Sequence, residues 1–166
     1  MKLIPLQRKV DGVKFTDPLA LVSDDRIINQ AIAILQHRLQ KGPLFGNPQS
    51  VKDYLRLQLA ALEHEVFGIL FLDAQMQLIE RCDLFRGTVT QTSVYPREVV
   101  KIALRLNASS LIIYHNHPSG VCEPSRADEM LTQTLKSSLS LVDIKILDHL
   151  VVASQGVTSF AERGLL

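Results

Sequence analysis

The sequence predicts an α/β fold in which a mixed β-sheet is flanked by helices. Segments with apolar residues three and four apart, typical of amphipathic helices, alternate with short apolar segments that are typical of strands. Some strand segments follow one another across short turns, so the sheet combines hairpins with helical connections. With 166 residues, of which 46% are hydrophobic, the chain can bury about two thirds of its unfolded surface as one globular domain.

The first part of the chain predicts an extension followed by two helices. Residues 1–25 have no sustained period and are assigned to an N-terminal extension, whereas residues 26–166 are assigned to a single domain. The first helix follows Ser23 as its N-cap and ends at Gly42-Pro43, with apolar residues four apart at Ile27, Ala31, Leu35 and Leu39. The second helix has Ser50 as its N-cap and ends near Glu63, with a buried stripe of Leu55, Leu59 and Leu62.

Five strands and two more helices follow. The strand segments are "VFGILFLD", Leu78 to Phe85, "LIIYHNH", "IKILDHLVVA" and "VTSF", and Ser154-Gln155-Gly156 predicts a hairpin between the last two. Pro96 suits the first turn of a helix whose inward residues are Val99, Val100, Ala103, Leu104 and Leu106, with Arg97, Lys101 and Arg105 on the other face. A further helix runs from Ser125 to about Leu139.

Composition narrows the classes of function. A formal charge of +1 gives no overall attraction to nucleic acid or to an anionic membrane. No apolar run is long enough to span a membrane, and the first 22 residues lack the apolar core of a signal peptide. The two cysteines, Cys82 and Cys122, have no paired spacing, so we expect a soluble protein of the reducing cytoplasm.

The segment "YHNHPSGVCEPSRAD" predicts a metal site. His115 and His117 are two apart on a strand and therefore point to the same side, and the turn after them can bring the next helix back over that side. Asp128 lies in the first turn of this helix. Two imidazoles and one carboxylate suit zinc and leave one coordination position open for water, as catalytic zinc requires. The alternative for Ser125 and Asp128 is a helix cap, and both roles are compatible.

The other histidines and the nearby cysteine are given less specific roles. His37 and His64 have no neighbours of ligand type and are interpreted as surface residues. His149 is interpreted as a hydrogen-bonded structural residue, with support of a metal ligand as the alternative. Cys122 is interpreted as a free thiol, because a fourth protein ligand would close the site.

His115-x-His117, seven residues, Ser125, two residues and Asp128 match the motif H-x-H-x7-S-x2-D of the JAMM metalloproteases. With "SVYPREVVKIALRLNAS" before it and "DHLVV" after it, the chain resembles the RadC-like branch of that superfamily from about residue 48 to residue 166. The resemblance implies a layered topology of the type shared with cytidine deaminases. It also implies one zinc ion per chain, held by His115, His117 and Asp128, with a water as the fourth ligand.

The resemblance also implies roles for two further residues. Glu65 in "EVFGIL" matches the family's glutamate, which deprotonates the water, and Glu63 is the weaker candidate for that role. Ser125 matches the serine that stabilises the oxyanion. The implied activity is hydrolysis of a peptide or isopeptide bond, with a protein or peptide as substrate. On Glu65 alone, a solvated residue between a helix and a strand would be the simpler interpretation.

Several alternatives stay open or are disfavoured. Longer RadC-like proteins carry a helix-hairpin-helix region for DNA binding, which the first fifty residues do not resemble, so nucleic-acid binding would depend on the row of Arg97, Lys101 and Arg105 with Arg86 before it. Deamination is disfavoured because H-x-E and P-C-x-x-C are missing. A catalytically silent or DNA-repair-associated binding module with a structural metal is the main alternative. A homodimer through a strand edge is not supported by any pattern.

Overall fold

The computed structural model describes residues 9–10, 13–14, 27–30, 42–59, 62–87 and 94–166. The chain divides into two compact units, Met1–Gln40 and Lys41–Leu166. In the first unit, strands β1 (Lys9–Val10) and β2 (Val13–Lys14) pair antiparallel, and residues 27–30 form helix α1. The first predicted helix agrees with the structure at 27–30, and its other residues, including His37, lie outside the described ranges.

The second unit contains a five-stranded mixed sheet with helices, which confirms the predicted fold class. Its elements are α2 (Pro48–Leu59), β3 (Val66–Leu72), β4 (Leu78–Arg86), α3 (Pro96–Arg105), β5 (Ser110–His117), α4 (Arg126–Ser140), β6 (Lys145–Ala153), β7 (Gly156–Ser159) and α5 (Phe160–Arg163). The strand order is β4-β3-β5-β6-β7. The β5–β6 pair is parallel and the other pairs are antiparallel, because α4 connects β5 to β6 whereas short turns connect β3 to β4 and β6 to β7.

The sheet buries an apolar core on each face. On one face, α3 and α4 cover side chains that include Phe67, Ile69, Leu111 and Ile113, all fully buried. On the other face, α2 covers Leu70, Ile112, Leu150 and Val152. Strand β3, which lies between β4 and β5, is buried along its whole length, which explains why its sequence is a continuous apolar run without alternation. Because α3 and α4 cover one face and α2 covers the other, side chains at the ends of β5 and β6 have different surroundings on the two faces.

Two local predictions are wrong. The N-cap of α2 is Asn47, whose Oδ1 accepts a hydrogen bond from Ser50 N at 2.8 Å, while the Ser50 hydroxyl donates to the Asn47 carbonyl at 2.7 Å. Pro48 then occupies the first helical position, which its fixed φ suits. In α3, we expected Leu104 to face inward, but it is 54% exposed. The residues of this helix that are buried are Val99 and Ala103, and Leu104 lies outside the face that they define.

A partly buried polar network lies on the α2 side of the sheet. The Tyr114 hydroxyl donates to Asp83 Oδ1 and accepts from Arg81 Nε at 2.9 Å, and Arg81 forms an ion pair with Asp83 at 3.0 Å. Burial and the hydrogen bond to Asp83 raise the pKa of Tyr114. The Tyr114 ring lies directly over Gly68, its partner on β3. Only a residue without a Cβ leaves room for it there.

None of the helices in the described ranges has the length and apolar character needed to cross a membrane.

Candidate metal centre

The two histidines of the predicted site lie at the C-terminal end of β5, on the face covered by α3 and α4. They are two residues apart on a strand, so their side chains share this face as expected. Phe67 pairs with His115 across β3 and β5, and the two rings stack with centroids 6.4 Å apart. This packing leaves no part of His115 exposed.

The turn after β5 brings α4 back over the histidines. Gly120 N donates to His117 O at 3.0 Å, and Gly120 has a φ of +90°, a conformation that glycine adopts without strain. Helix α4 then begins with Ser125 as its N-cap. Ser125 Oγ accepts from Asp128 N at 3.2 Å, and both Ser125 N and Ser125 Oγ donate to Asp128 Oδ2, at 2.7 and 2.6 Å. The predicted cap is therefore confirmed, and it orients the Asp128 carboxylate toward β5.

The donor atoms of the three predicted ligands converge. His115 Nε2 lies 3.0 Å from His117 Nε2 and 3.7 Å from Asp128 Oδ2. One ligand atom from each residue lies within 4.8 Å of the other two. In a tetrahedral site with bonds of about 2.0–2.1 Å, neighbouring ligand atoms are about 3.3–3.4 Å apart. The three side chains can therefore hold a metal ion without rearrangement of the backbone.

The hydrogen-bond partners and the charge state of the rings also fit a metal. His117 Nδ1 lies 2.8 Å from the carbonyl oxygen of Val121, which only accepts, so Nδ1 carries a hydrogen and Nε2 is the nitrogen that could bind a metal. Burial lowers the pKa of His115 to about 4, although the Asp128 carboxylate acts in the opposite direction. His115 is therefore neutral near pH 7. The Nε2 atoms of the two histidines and the carboxylate of Asp128 therefore face one another. A cation bound between them would stabilise this arrangement.

Glu65 lies immediately before β3 and is half-buried. The β3–β5 ladder ends with the pair of Phe67 and His115, and continuing this register by two residues would put Glu65 opposite His117 on the same face. The start of β3 is held in place because Val66 N donates to Asn116 Oδ1 at 2.7 Å, and Gly87 N donates to the Glu65 carbonyl at 2.8 Å. Glu65 therefore directly precedes the strand that pairs with His115 and is half-buried, whereas Glu63 is exposed.

A groove of about 330 Å³ opens beside His117. Arg56 and Leu59 of α2 form one wall, and Val152 and Ser154 at the end of β6 form another. Arg56 is the one cationic side chain among the described residues that line this groove. The groove therefore combines apolar side chains with one positive charge, and its lining includes His117.

Two other residues that the sequence analysis singled out, Cys122 and His64, can also be located. Cys122 is a free cysteine, as expected, and is not part of the metal-ligand group found within the described ranges. His64 is half-buried rather than on the surface, and its Nε2 is buried without a hydrogen-bond partner in the part of the chain that the structure describes. The interpretation of His64 as a surface residue is therefore wrong, because it lies where Asn116 Nδ2 donates to its carbonyl at 3.0 Å.

His149 is confirmed as a hydrogen-bonded buried residue, but its partners were not predicted. His149 Nε2 lies 2.8 Å from His115 Nδ1, and His149 Nδ1 lies 2.7 Å from Thr132 Oγ1. Thr132 on α4 carries no motif that would mark it. The only sequence signal is its position four residues after Asp128, on the same side of the helix.

Comparison with known proteins agrees with this geometry. The family model of the RadC-like JAB domain matches residues 45–165. A UPF0758 protein of Leptothrix cholodnii is 61% identical over 84% of the chain, one of Methylibium petroleiphilum is 56% identical over 95%, and one of Vibrio cholerae is 54% identical over 86%. The chain spans 63%, 71% and 90% of the length of these three relatives, respectively. The chain thus belongs to the family of RadC-like JAB domains.

Proposed function

We propose that this domain is a zinc-dependent hydrolase that cleaves peptide or isopeptide bonds. The observation that carries the proposal is the convergence of His115, His117 and Asp128, which supply three protein ligands rather than four. Three ligands leave a coordination position open, which distinguishes catalytic from structural zinc sites. Membership of the JAB family supports a hydrolytic reaction.

When bound, zinc would polarise a carbonyl group and lower the pKa of a coordinated water toward neutrality. Glu65 would take a proton from the attacking water and pass it to the leaving amine, a role supported by the β3–β5 register, which would put Glu65 opposite His117 if continued by two residues. Ser125 holds Asp128 Oδ2 through its hydroxyl and its backbone N–H. To stabilise an oxyanion as well, the Ser125 hydroxyl would have to turn its hydrogen away from Asp128 toward the substrate.

We place the substrate chain along the groove beside His117. Its apolar wall accommodates a hydrophobic side chain, and Arg56 favours a carboxylate nearby, from either an acidic side chain or a C-terminus.

The two free cysteines support the proposal that the protein works in a reducing cytoplasm.

Nucleic-acid binding has weaker support. The row of Arg97, Lys101 and Arg105 on α3 is exposed, as predicted. However, Glu98 forms ion pairs with Arg97 Nε at 3.4 Å and with Lys101 Nζ at 2.8 Å. A carboxylate within the row reduces its attraction to phosphates, so we favour the hydrolase over a DNA-binding module.

The proposal predicts metal-dependent hydrolysis. Purified protein loaded with zinc would be incubated with libraries of peptides and isopeptide-linked conjugates, including members that carry carboxylates, and the products identified by mass spectrometry. We expect cleavage that a chelator abolishes and that added zinc restores. The His117→Ala variant should be inactive under every condition. Cleavage that persists after complete removal of metal would contradict the proposal.

A further inference from the structure

Beyond the three ligands and Glu65, a fully buried histidine contacts the metal centre. His149 lies on β6 and is 0% exposed. Its ring packs against Phe160, with centroids 4.5 Å apart, and meets Phe67 edge-on at 6.0 Å. In such apolar surroundings a ring nitrogen without a partner would be costly, yet both nitrogens of His149 have one, Thr132 and His115.

The positions of the hydrogens in this chain of hydrogen bonds can be assigned, because it begins at a carbonyl oxygen, which can only accept. The Thr132 hydroxyl lies 2.6 Å from the Asp128 carbonyl, which only accepts, so its single hydrogen points there. Thr132 Oγ1 then accepts from His149 Nδ1, which therefore carries a hydrogen. The His149 ring is fully buried against the rings of Phe67 and Phe160, which disfavours a charged imidazolium, so with its hydrogen on Nδ1 the ring accepts at Nε2.

This assignment fixes the tautomer of His115. Because His149 Nε2 is an acceptor, His115 Nδ1 must donate to it across 2.8 Å. His115 Nε2 is then left without a hydrogen, and it is the atom that faces His117 and Asp128. The other tautomer would place a hydrogen on Nε2 and block it as a ligand.

We propose that Thr132 and His149 are positioning residues that hold His115 as the Nδ1–H tautomer, with its Nε2 lone pair directed at the metal. The relay begins at the carbonyl of Asp128 and ends at His115, so it links two of the three ligands through α4 and β6. A hydrogen bond to the second nitrogen of a ligating histidine both orients the ring and strengthens the lone pair. This inference rests on the proposed metal centre.

The first test reads the tautomers directly in metal-free protein. In a long-range ¹H–¹⁵N correlation spectrum, nitrogen shifts distinguish the two neutral forms of each imidazole, and single substitutions assign the signals. We expect His115 and His149 both as Nδ1–H tautomers in the parent protein. In His149→Leu, the His115 signals should move toward a mixture of the two forms. An Nε2–H tautomer of His115 in the folded parent would overturn the inference.

The second test measures zinc affinity by competition with a chromophoric chelator. His149→Leu and Thr132→Val remove hydrogen bonding but retain volume, and we expect each to weaken zinc binding by roughly 10–100-fold. His149→Gln places an acceptor near the position of Nε2, and Thr132→Ser restores the hydroxyl, so both should remain within about threefold of the parent. Thermal unfolding of each variant shows whether it is folded, and Thr132→Val replaces His149→Leu if the latter is not.

The matched control is Thr158→Val, the same substitution at another buried threonine, on β7. It should leave zinc affinity unchanged. Parent-like affinity in His149→Leu and Thr132→Val would overturn the inference and leave the proposed function standing. A parent that binds no zinc would instead overturn the proposed function, and the tautomer spectrum would still decide whether the relay exists.

Discussion

The Glu65→Gln protein should retain its metal and lose about 10²- to 10⁴-fold in kcat/KM, the range contributed by a general acid–base group. Glutamine has nearly the size of glutamate but cannot take a proton. The register of β3 and β5, continued by two residues beyond Phe67 and His115, would put Glu65 opposite His117, and Glu65 is not in the group of three candidate ligands. Proton transfer should therefore fail while metal binding persists, as checked by steady-state kinetics and elemental analysis of the same sample.

The matched control for this variant is Glu63→Gln. Glu63 is exposed and stands two residues earlier, outside β3. We expect it to hydrolyse substrate at the parent rate. Parent-like turnover by Glu65→Gln, or equal losses in the two variants, would remove Glu65 from the mechanism.

The Gly68→Ala protein should be less stable than the parent by about 3 kcal/mol, at the upper end of the usual cost of overpacking. A Cβ at Gly68 would overlap the Tyr114 hydroxyl and Cζ, and would lie 2.7 Å from the Cys82 carbonyl oxygen. Neither neighbour can move easily. Tyr114 is fully buried and is hydrogen-bonded to Arg81 and Asp83, and the Cys82 carbonyl is part of strand β4. Urea unfolding curves would give the difference in free energy.

Two further variants test whether the loss of stability in Gly68→Ala comes from the contact with Tyr114. Gly46→Ala adds the same methyl group where nothing in the described part of the chain lies within 4 Å, so its stability should match the parent. In a Tyr114→Leu background, the cost of Gly68→Ala should fall, because the ring that it meets is gone. If Gly68→Ala were as stable as the parent in the parent background, this prediction would be wrong, because Tyr114 and the neighbouring backbone could then move aside at little cost.

Sequence periodicity was sufficient for the strands and for bringing together the candidate ligands that are near one another in the chain. His115 and His117 share a face because the strand period is two, and the Ser125 cap indicates where α4 begins and hence where Asp128 lies. Both inferences depend on local geometry alone. They succeeded because a strand and a helix cap allow few alternatives.

Contacts between distant residues could not be predicted in the same way. His149 meets His115 only because β5 and β6 pair in parallel, and nothing in "LDHLVV" indicates which strand lies beside it. The fit of Tyr114 over Gly68 likewise depends on the register of two strands. For α2, Asn47 and Ser50 are both good capping residues, and Pro48 decides between them because it favours the first helical position.

The central claim is that His115, His117 and Asp128 bind one metal ion, and elemental analysis tests it most directly. The parent protein and the His115→Ala and Asp128→Ala variants would be stripped with a chelator, dialysed against zinc and then against metal-free buffer, with circular dichroism to verify folding. We predict about one zinc per chain in the parent, as a three-ligand site requires, and none in either variant. A folded parent that retains no zinc, or variants that retain as much as the parent, would contradict the account.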